Sequence, residues 1–170
     1  MEELFENACA AVQQRYGAQR SDFRGETTLF LPAEHNIEAL TDLKKEFQFE
    51  MLLDLTAVDY WPEQQPRFHL LYRLFSFGLN TRILLRVPLD GNSPAIRTAE
   101  VVYKNANWYE REVMDLFGIT FEGHSDPRRI MMPESWQGHP LRKDYPLGYE
   151  EVQYTFNADE IRVRKNVPSR

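Results

Sequence analysis

Glu110 to Leu147, EREVMDLFGITFEGHSDPRRIMMPESWQGHPLRKDYPL, gathers side chains that could do chemistry: two of the chain's four histidines, with charges of both signs around them. His124, Asp126, His139 and Asp144, with Glu110, Glu112 and Asp115 near in sequence, are types that ligate metals or exchange protons. The His124-Ser125-Asp126 spacing admits two ligands. The strong zinc patterns are missing, however, with neither H-E-x-x-H nor paired C-x-x-C present. A free-standing metal-dependent hydrolase is the reading such a cluster would support. Against it, the same acids and histidines can cap turns and pair with Arg128, Arg129, Arg142 and Lys143. Ser125 and Ser135 lie near histidines, but no G-x-S-x-G elbow surrounds them. Neither G-x-G-x-x-G nor G-x-x-x-x-G-K-[ST] occurs, so no nucleotide site is expected.

A third use fits the composition better. Pro127, Pro133, Pro140 and Pro146 recur every six or seven residues. Each removes a backbone donor and biases its predecessor to extended geometry, so no long helix or central strand survives the spacing. A loop of this length is functional or disordered. Disorder is disfavoured by Phe121, Ile130, Met131, Met132, Trp136, Leu141, Tyr145 and Leu147, which want burial. Arg, Trp, Tyr and Met are favoured at interface centres, and a stiffened extended segment loses less entropy on docking. Docking to a partner is therefore expected, with part of the segment packing on its own domain.

The elements that must position this segment follow from periodicity. Leu4, Ala8, Val12 and Tyr16, with Phe5 and Cys9 alongside, form one face of a helix ended near Gly17. Thr27 to Leu31 predicts a strand. Pro32 opens a second helix with Ile37, Leu40, Leu43 and Phe47 inward. Three strands follow: Met51 to Tyr60, with Met51, Leu53, Leu55 and Ala57 on one face; Arg67 to Phe77, with Phe68, Leu70, Tyr72 and Leu74; and Thr81 to Val87, with Ile83, Leu85 and Val87 alternating with Arg82 and Arg86 on a solvated side. Ser93 and Pro94 predict a short capped helix. Asn107 and Glu110 predict a capping box for a helix running to Phe117, with Gly118 as its stop. Trp108, Arg111 or Glu112, and Asp115 fall near one stripe of it, and Tyr109, Val113, Leu116 and Phe117 on the apolar one. In the tail, Val152, Tyr154 and Phe156 alternate. The fold class is α+β: a two-layer sandwich of mostly antiparallel sheet with helices on one face. Residues 1–121 form the core and 122–170 an extended arm of the same domain.

The totals agree. A chain of 170 residues, 42% hydrophobic and 13% aromatic, is globular and long enough for one sizeable core. Its net charge of −6 argues against a general nucleic-acid binder. The single Cys9 fits a buried structural thiol in a reducing compartment and cannot hold an iron–sulfur cluster. The acidic start is no signal peptide, and no apolar run of about 18 residues occurs, so a membrane is met only through partners.

NWYEREVMDLFG (Asn107–Gly118), Ile119, and then GHSDPRRIMMPESW and GHPLRKDYPL resemble the signature of the C-subunit family of proton-translocating NADH:quinone oxidoreductase, respiratory complex I. The resemblance is specific over about forty residues and weaker from about Leu29 onward. DLTAVDY (Asp54–Tyr60) looks like the family's central strand. The sequence departs at Ser125-Asp126-Pro127, where the family commonly reads Pro-Asp-Leu, at Met131-Met132 in place of a leucine-rich pair, and at Ala57, often glycine.

The resemblance implies a cofactor-free structural and assembly subunit of the peripheral arm. Its C-terminal segment would wrap the large quinone-site subunit, near that subunit's cluster-bearing neighbours, on the cytoplasmic side of a bacterial plasma membrane. FMN, iron–sulfur clusters and quinone would sit on other subunits. Glu110, Arg111, Glu112 and Asp115 would fix the last helix against the arm. His124, Asp126, Arg128 and Arg129 would hold the first turn and touch the quinone-site subunit, with Arg129 facing an acid or carbonyl of that partner. Trp136, His139, Arg142, Lys143, Asp144 and Tyr145 would anchor the rest. An equivalent docking subunit of a membrane-bound hydrogenase-type complex is the neighbouring alternative.

Overall fold

The computed structural model describes residues 2–146 and Phe156. The expected alternation at Val152 and Tyr154, and the motif's last residue Leu147, lie outside the described residues. Helix α1 (Glu2–Tyr16) buries Ala8, Cys9 and Val12 and stops at Gly17, whose left-handed φ of 67° suits a residue without a Cβ. Burial pushes the Cys9 thiol up to about 11, which leaves it an inert packing group.

β1 (Gln19–Phe23) and β2 (Glu26–Phe30) form a hairpin closed by Arg24 and Gly25, with φ 52° and 79°. Positive φ at both central residues is the turn that matches strand twist. β1 was not expected: QRSDF has no apolar alternation, and Arg-Gly is not among the usual turn dipeptides. After Pro32, a 3-10 turn (Ala33–His35) leads into α2 (Asn36–Lys45), so Phe47 packs from beyond the helix.

β3 (Met51–Asp59), β4 (Phe68–Ser76) and β5 (Thr81–Leu89) complete a sheet of order β1-β2-β5-β4-β3. Only the β2–β5 pairing in it is parallel. The helices lie on one face, where Leu40, Leu43, Leu70, Tyr72, Leu85 and Val113 share one core. The class is α+β as expected. DLTAVDY is an edge strand rather than a central one.

Its facing also differs from a strict alternation. A bulge between Leu52 and Asp54 shifts the register, so Leu52 is buried and Met51 exposed, while Leu55, Ala57 and Asp59 point inward. The carbonyls the bulge frees are not orphaned: Asn105 Nδ2 donates to Leu52 O and the Tyr109 hydroxyl to Leu53 O.

No helix starts at Ser93. β6 (Ala95–Arg97) occupies that stretch and pairs in parallel with β7 (Thr120–Glu122). Thr98 is the capping residue, accepting from Glu100 N ahead of a 3-10 turn (Ala99–Val101). Helix α3 (Ala106–Phe117) thus runs between two short paired strands, along the β3 edge, and ends at Gly118 with φ 71°. Asn107 does not cap it: it lies within the helix and its Nδ2 donates to the Ser125 hydroxyl, while Glu110 is engaged elsewhere.

Candidate functional site

Three buried acids on the core hold the arm or the elements beneath it. Glu110 is fully buried. Its Oε1 accepts from Ala99 N at 2.6 Å and its Oε2 from the Thr98 hydroxyl, which locks α3 to the turn before it. His124 Nε2 stands 3.8 Å away. His124 Nδ1 accepts from Asp126 N, so its proton sits on Nε2 and is donated to Asn107 O at 3.0 Å.

Burial pushes the Glu110 carboxyl up to about 7, against the opposing pull of the Thr98 and Ala99 bonds. Between the ordinary value of 4.5 and about 7, the folded chain keeps a proton that the unfolded chain has released. The contribution of this group therefore favours the fold at low pH and is lost as pH rises through about 7. Glu110→Gln keeps the shape without the charge. It is expected to raise the melting temperature at pH 8 and change it little at pH 5, with a ceiling of about 3 kcal/mol. An equal effect at both pH values, by urea or thermal denaturation, would contradict this.

Asp115 is the second acid, with its side chain fully enclosed. Its Oδ2 accepts three successive backbone N–H groups, from Ile130, Met131 and Met132, at 3.1, 2.8 and 2.8 Å. Its Oδ1 accepts from Arg129 at 2.6 Å. Burial raises this carboxyl, but the three N–H groups and the guanidinium outweigh it and hold the group below the usual range. The acid opposite Arg129 is thus this chain's own. Arg111, also buried, donates to Arg128 O and Arg129 O and stacks over Trp108. Arg128 folds back on Asp126 at 2.6 and 2.7 Å.

The end of α3 is completed by the arm. Its last turn leaves carbonyls without helical donors. His139 Nδ1 donates to Asp115 O at 2.8 Å, Leu141 N to Leu116 O at 3.0 Å, Arg142 Nε to Phe117 O at 2.5 Å and Arg142 Nη2 to Gly118 O at 3.2 Å. The positive Arg142 also complements the helix dipole. The close approach needs Gly118: a Cβ there would lie 2.5 Å from His139 Cδ2 and 2.6 Å from Arg142 Nη2.

Asp59 is the third acid. Arg67 grips it in a fork, Nε to Oδ1 and Nη2 to Oδ2, both 2.9 Å, and grips Asp144 at 3.0 and 2.6 Å. Lys143 N also donates to Asp59, at 2.8 Å. Neither Asp59 nor Arg67 stands out in the sequence. The one signal there is a carboxylate on the inward parity of β3, which burial makes costly unless paired.

Trp136 and Tyr145 shape the arm itself: Trp136 N donates to Pro133 O, and the Tyr145 ring lies against Gly138. Glu112 and the Lys143 ammonium face solvent. Among the described residues, no group of three or more His, Cys, Asp or Glu stands close enough to hold a metal, and no helix is long and apolar enough to cross a membrane. Among the described residues of the arm, Met131 is 60% exposed and Leu141 51%, while Ile130 at 39% and Trp136 at 36% are partly exposed.

The family model described as respiratory-chain NADH dehydrogenase, 30 Kd subunit, matches residues 29–151. A protein of Roseiflexus sp. (strain RS-1), named as the C subunit of NADH-quinone oxidoreductase, is 42% identical over 147 residues, 85% of this chain and 84% of its own. The protein of the same name in Geobacter sulfurreducens is 44% identical over 143 residues, 82% and 88%. The solved trypsin-resistant fragment of Nqo5 is 34% identical, with a TM-score of 0.62 over 74% of this chain and 97% of the fragment. A chain of the membrane-bound sulfane sulfur reductase, an archaeal respiratory membrane complex, shares the fold with a TM-score of 0.69 at 23% identity, over 99% of this chain and 93% of its own. This chain belongs to the family of the 30 kDa subunit of respiratory-chain NADH dehydrogenase.

Proposed function

We propose that this chain is a non-catalytic docking and assembly subunit in the peripheral arm of a proton-translocating NADH:quinone oxidoreductase, with residues 122–170 as its docking arm on the quinone-site subunit. One observation carries the reading. Among the described residues of the arm, Asp126, Arg128, Arg129, Arg142 and Asp144 already have partners within this chain, while Ile130, Met131, Trp136 and Leu141 stay exposed. The described part of the arm is held in place before docking and so loses little entropy on binding, and exposed Trp, Met and Leu on it suit an interface centre. In this reading FMN, the clusters and quinone reside on other subunits. The chain then reaches the cytoplasmic face of the bacterial plasma membrane only through its partners.

The test is to tag the chain in its own cells, solubilise membranes gently and identify what co-purifies. Flavin- and cluster-bearing subunits with NADH:quinone activity are expected. A hydrogenase-type set would move the assignment to that kind of complex, and a free monomer would end it. The double variant Met131→Glu/Leu141→Glu should cut co-purification by about tenfold or more, as burying unpaired charge costs several kcal/mol. Its thermal melt should stay close to wild type, because both side chains face solvent.

A further inference from the structure

Among the described residues no helix or arm segment covers the face of the sheet away from the helices, and the register sets what lies on it. Arg82, Phe75 and Met51 stand side by side across β5, β4 and β3, and Leu84, Arg73 and Asp54 form the adjacent row. A third arginine, Arg86, is already engaged: Nε donates to His69 Nδ1 at 2.8 Å, Nη2 to the Tyr60 hydroxyl, and the guanidinium stacks on Phe30. Arg73 and Arg82 differ. Both are exposed, and both border a concavity of about 340 Å³ floored by Phe75 and closed on one side by the β1–β2 turn. Among the described residues neither enters an ion pair or side-chain hydrogen bond, although Glu26 is at the rim and Asp54 is the cross-strand neighbour of Arg73.

Arg73 and Arg82 are diagonal neighbours on paired strands, close enough to repel. That repulsion is relieved by carboxylates, which each guanidinium fork can hold bidentately. The apolar surface continues outside the concavity: Phe77 is 66% exposed and packs edge-on against Phe75 at 5.1 Å, and Met51 is 40% exposed. A small anion would use the arginines and leave this surface wet. We propose that this sheet face is a second docking surface, separate from the arm, for an acidic segment of another protein. That segment presents carboxylates to Arg73 and Arg82 and an apolar side chain to Phe75 and Phe77. The chain would then be held from both sides, its sheet on one neighbour and its arm on another.

The test is photo-cross-linking in cells that make the full chain, with p-benzoylphenylalanine at Phe77 and, separately, at Met131 in the arm. The linked peptides are then sequenced from the gently solubilised assembly. At Phe77, a peptide of a different protein carrying clustered Asp or Glu is expected. Arg73→Glu/Arg82→Glu should lower its yield about tenfold or more, and reversing the charges on the linked peptide should restore it. The milder pair Arg73→Gln/Arg82→Gln, checked by an unchanged melt, replaces the reversal if that variant folds poorly. No cross-link, a peptide without acids, a second copy of this chain, or this chain's own residues 147–170 would each overturn the proposal. A link at Met131 with none at Phe77 removes this surface and leaves the arm reading intact. The converse result removes the arm reading alone.

Discussion

Asp115→Ala is expected to release the arm and cost about 3–5 kcal/mol of stability, the range for breaking a buried, hydrogen-bonded charge. The substitution would strand three consecutive backbone N–H groups and the Arg129 guanidinium at once. Asp115→Asn should recover little. One amide oxygen cannot replace two carboxylate oxygens that accept four donors, and its NH₂ would meet donors rather than acceptors. The loss should be local before it is global. Limited trypsin digestion should cut at Arg128, Arg129, Arg142 and Lys143 in the variant while residues up to about Phe121 survive, and urea denaturation should show a lower midpoint. An arm as resistant as wild type would show that Asp115 is not its anchor.

Arg67→Ala carries a comparable expectation, about 3–5 kcal/mol, because it leaves Asp59 enclosed without a counter-charge. Arg67→Lys should behave nearly as badly: a single ammonium cannot fork to two carboxylates. Asp144→Asn should cost less, since the Asp144 side chain is 35% exposed and water replaces part of what it loses.

The pH dependence distinguishes the pairing from mere packing. In the wild type, burial raises the Asp59 carboxyl, but Arg67, Lys143 N and Trp61 N outweigh burial and hold it below its ordinary 3.8. That stabilisation is present above 3.8 and fades as pH falls through the folded value. Without Arg67, burial wins and the carboxyl rises above its ordinary value. The variant's stability then falls as pH climbs, so its deficit should be larger at pH 8 than at pH 4. A deficit that is flat with pH would assign Arg67 a steric role only.

Parts of this structure are legible from sequence because local spacing determines them. The four-residue recurrence from Leu4 to Tyr16 can only be one helix face, and Ile83, Leu85 and Val87 alternate because β5 is regular. The facing of β3 is not legible, because its bulge is invisible in a pattern of Met, Leu, Leu and Leu. Glu110 resembles a capping partner for Asn107 because spacing cannot say that Thr98, 12 residues earlier, already holds it. The arm's composition correctly points away from a core strand, but it also suggests a neighbour for charges that this chain pairs itself. Their partners lie 14 residues back for Arg129 and 77 back for Asp144, distances at which no periodicity links two residues. Only the fold brings Asp115 and Arg67 to them.

The arm's manner of attachment also has a calorimetric consequence. Its described residues are held by main-chain N–H groups, carboxylates and helix-end carbonyls, while Met131 and Leu141 are already more than half exposed. Lifting this part off would hydrate a larger polar share than unfolding the core does. Apolar exposure raises heat capacity and polar exposure lowers it, so this opening should have a smaller heat-capacity change per residue than unfolding of the core. Its free energy should curve less with temperature than that of the core.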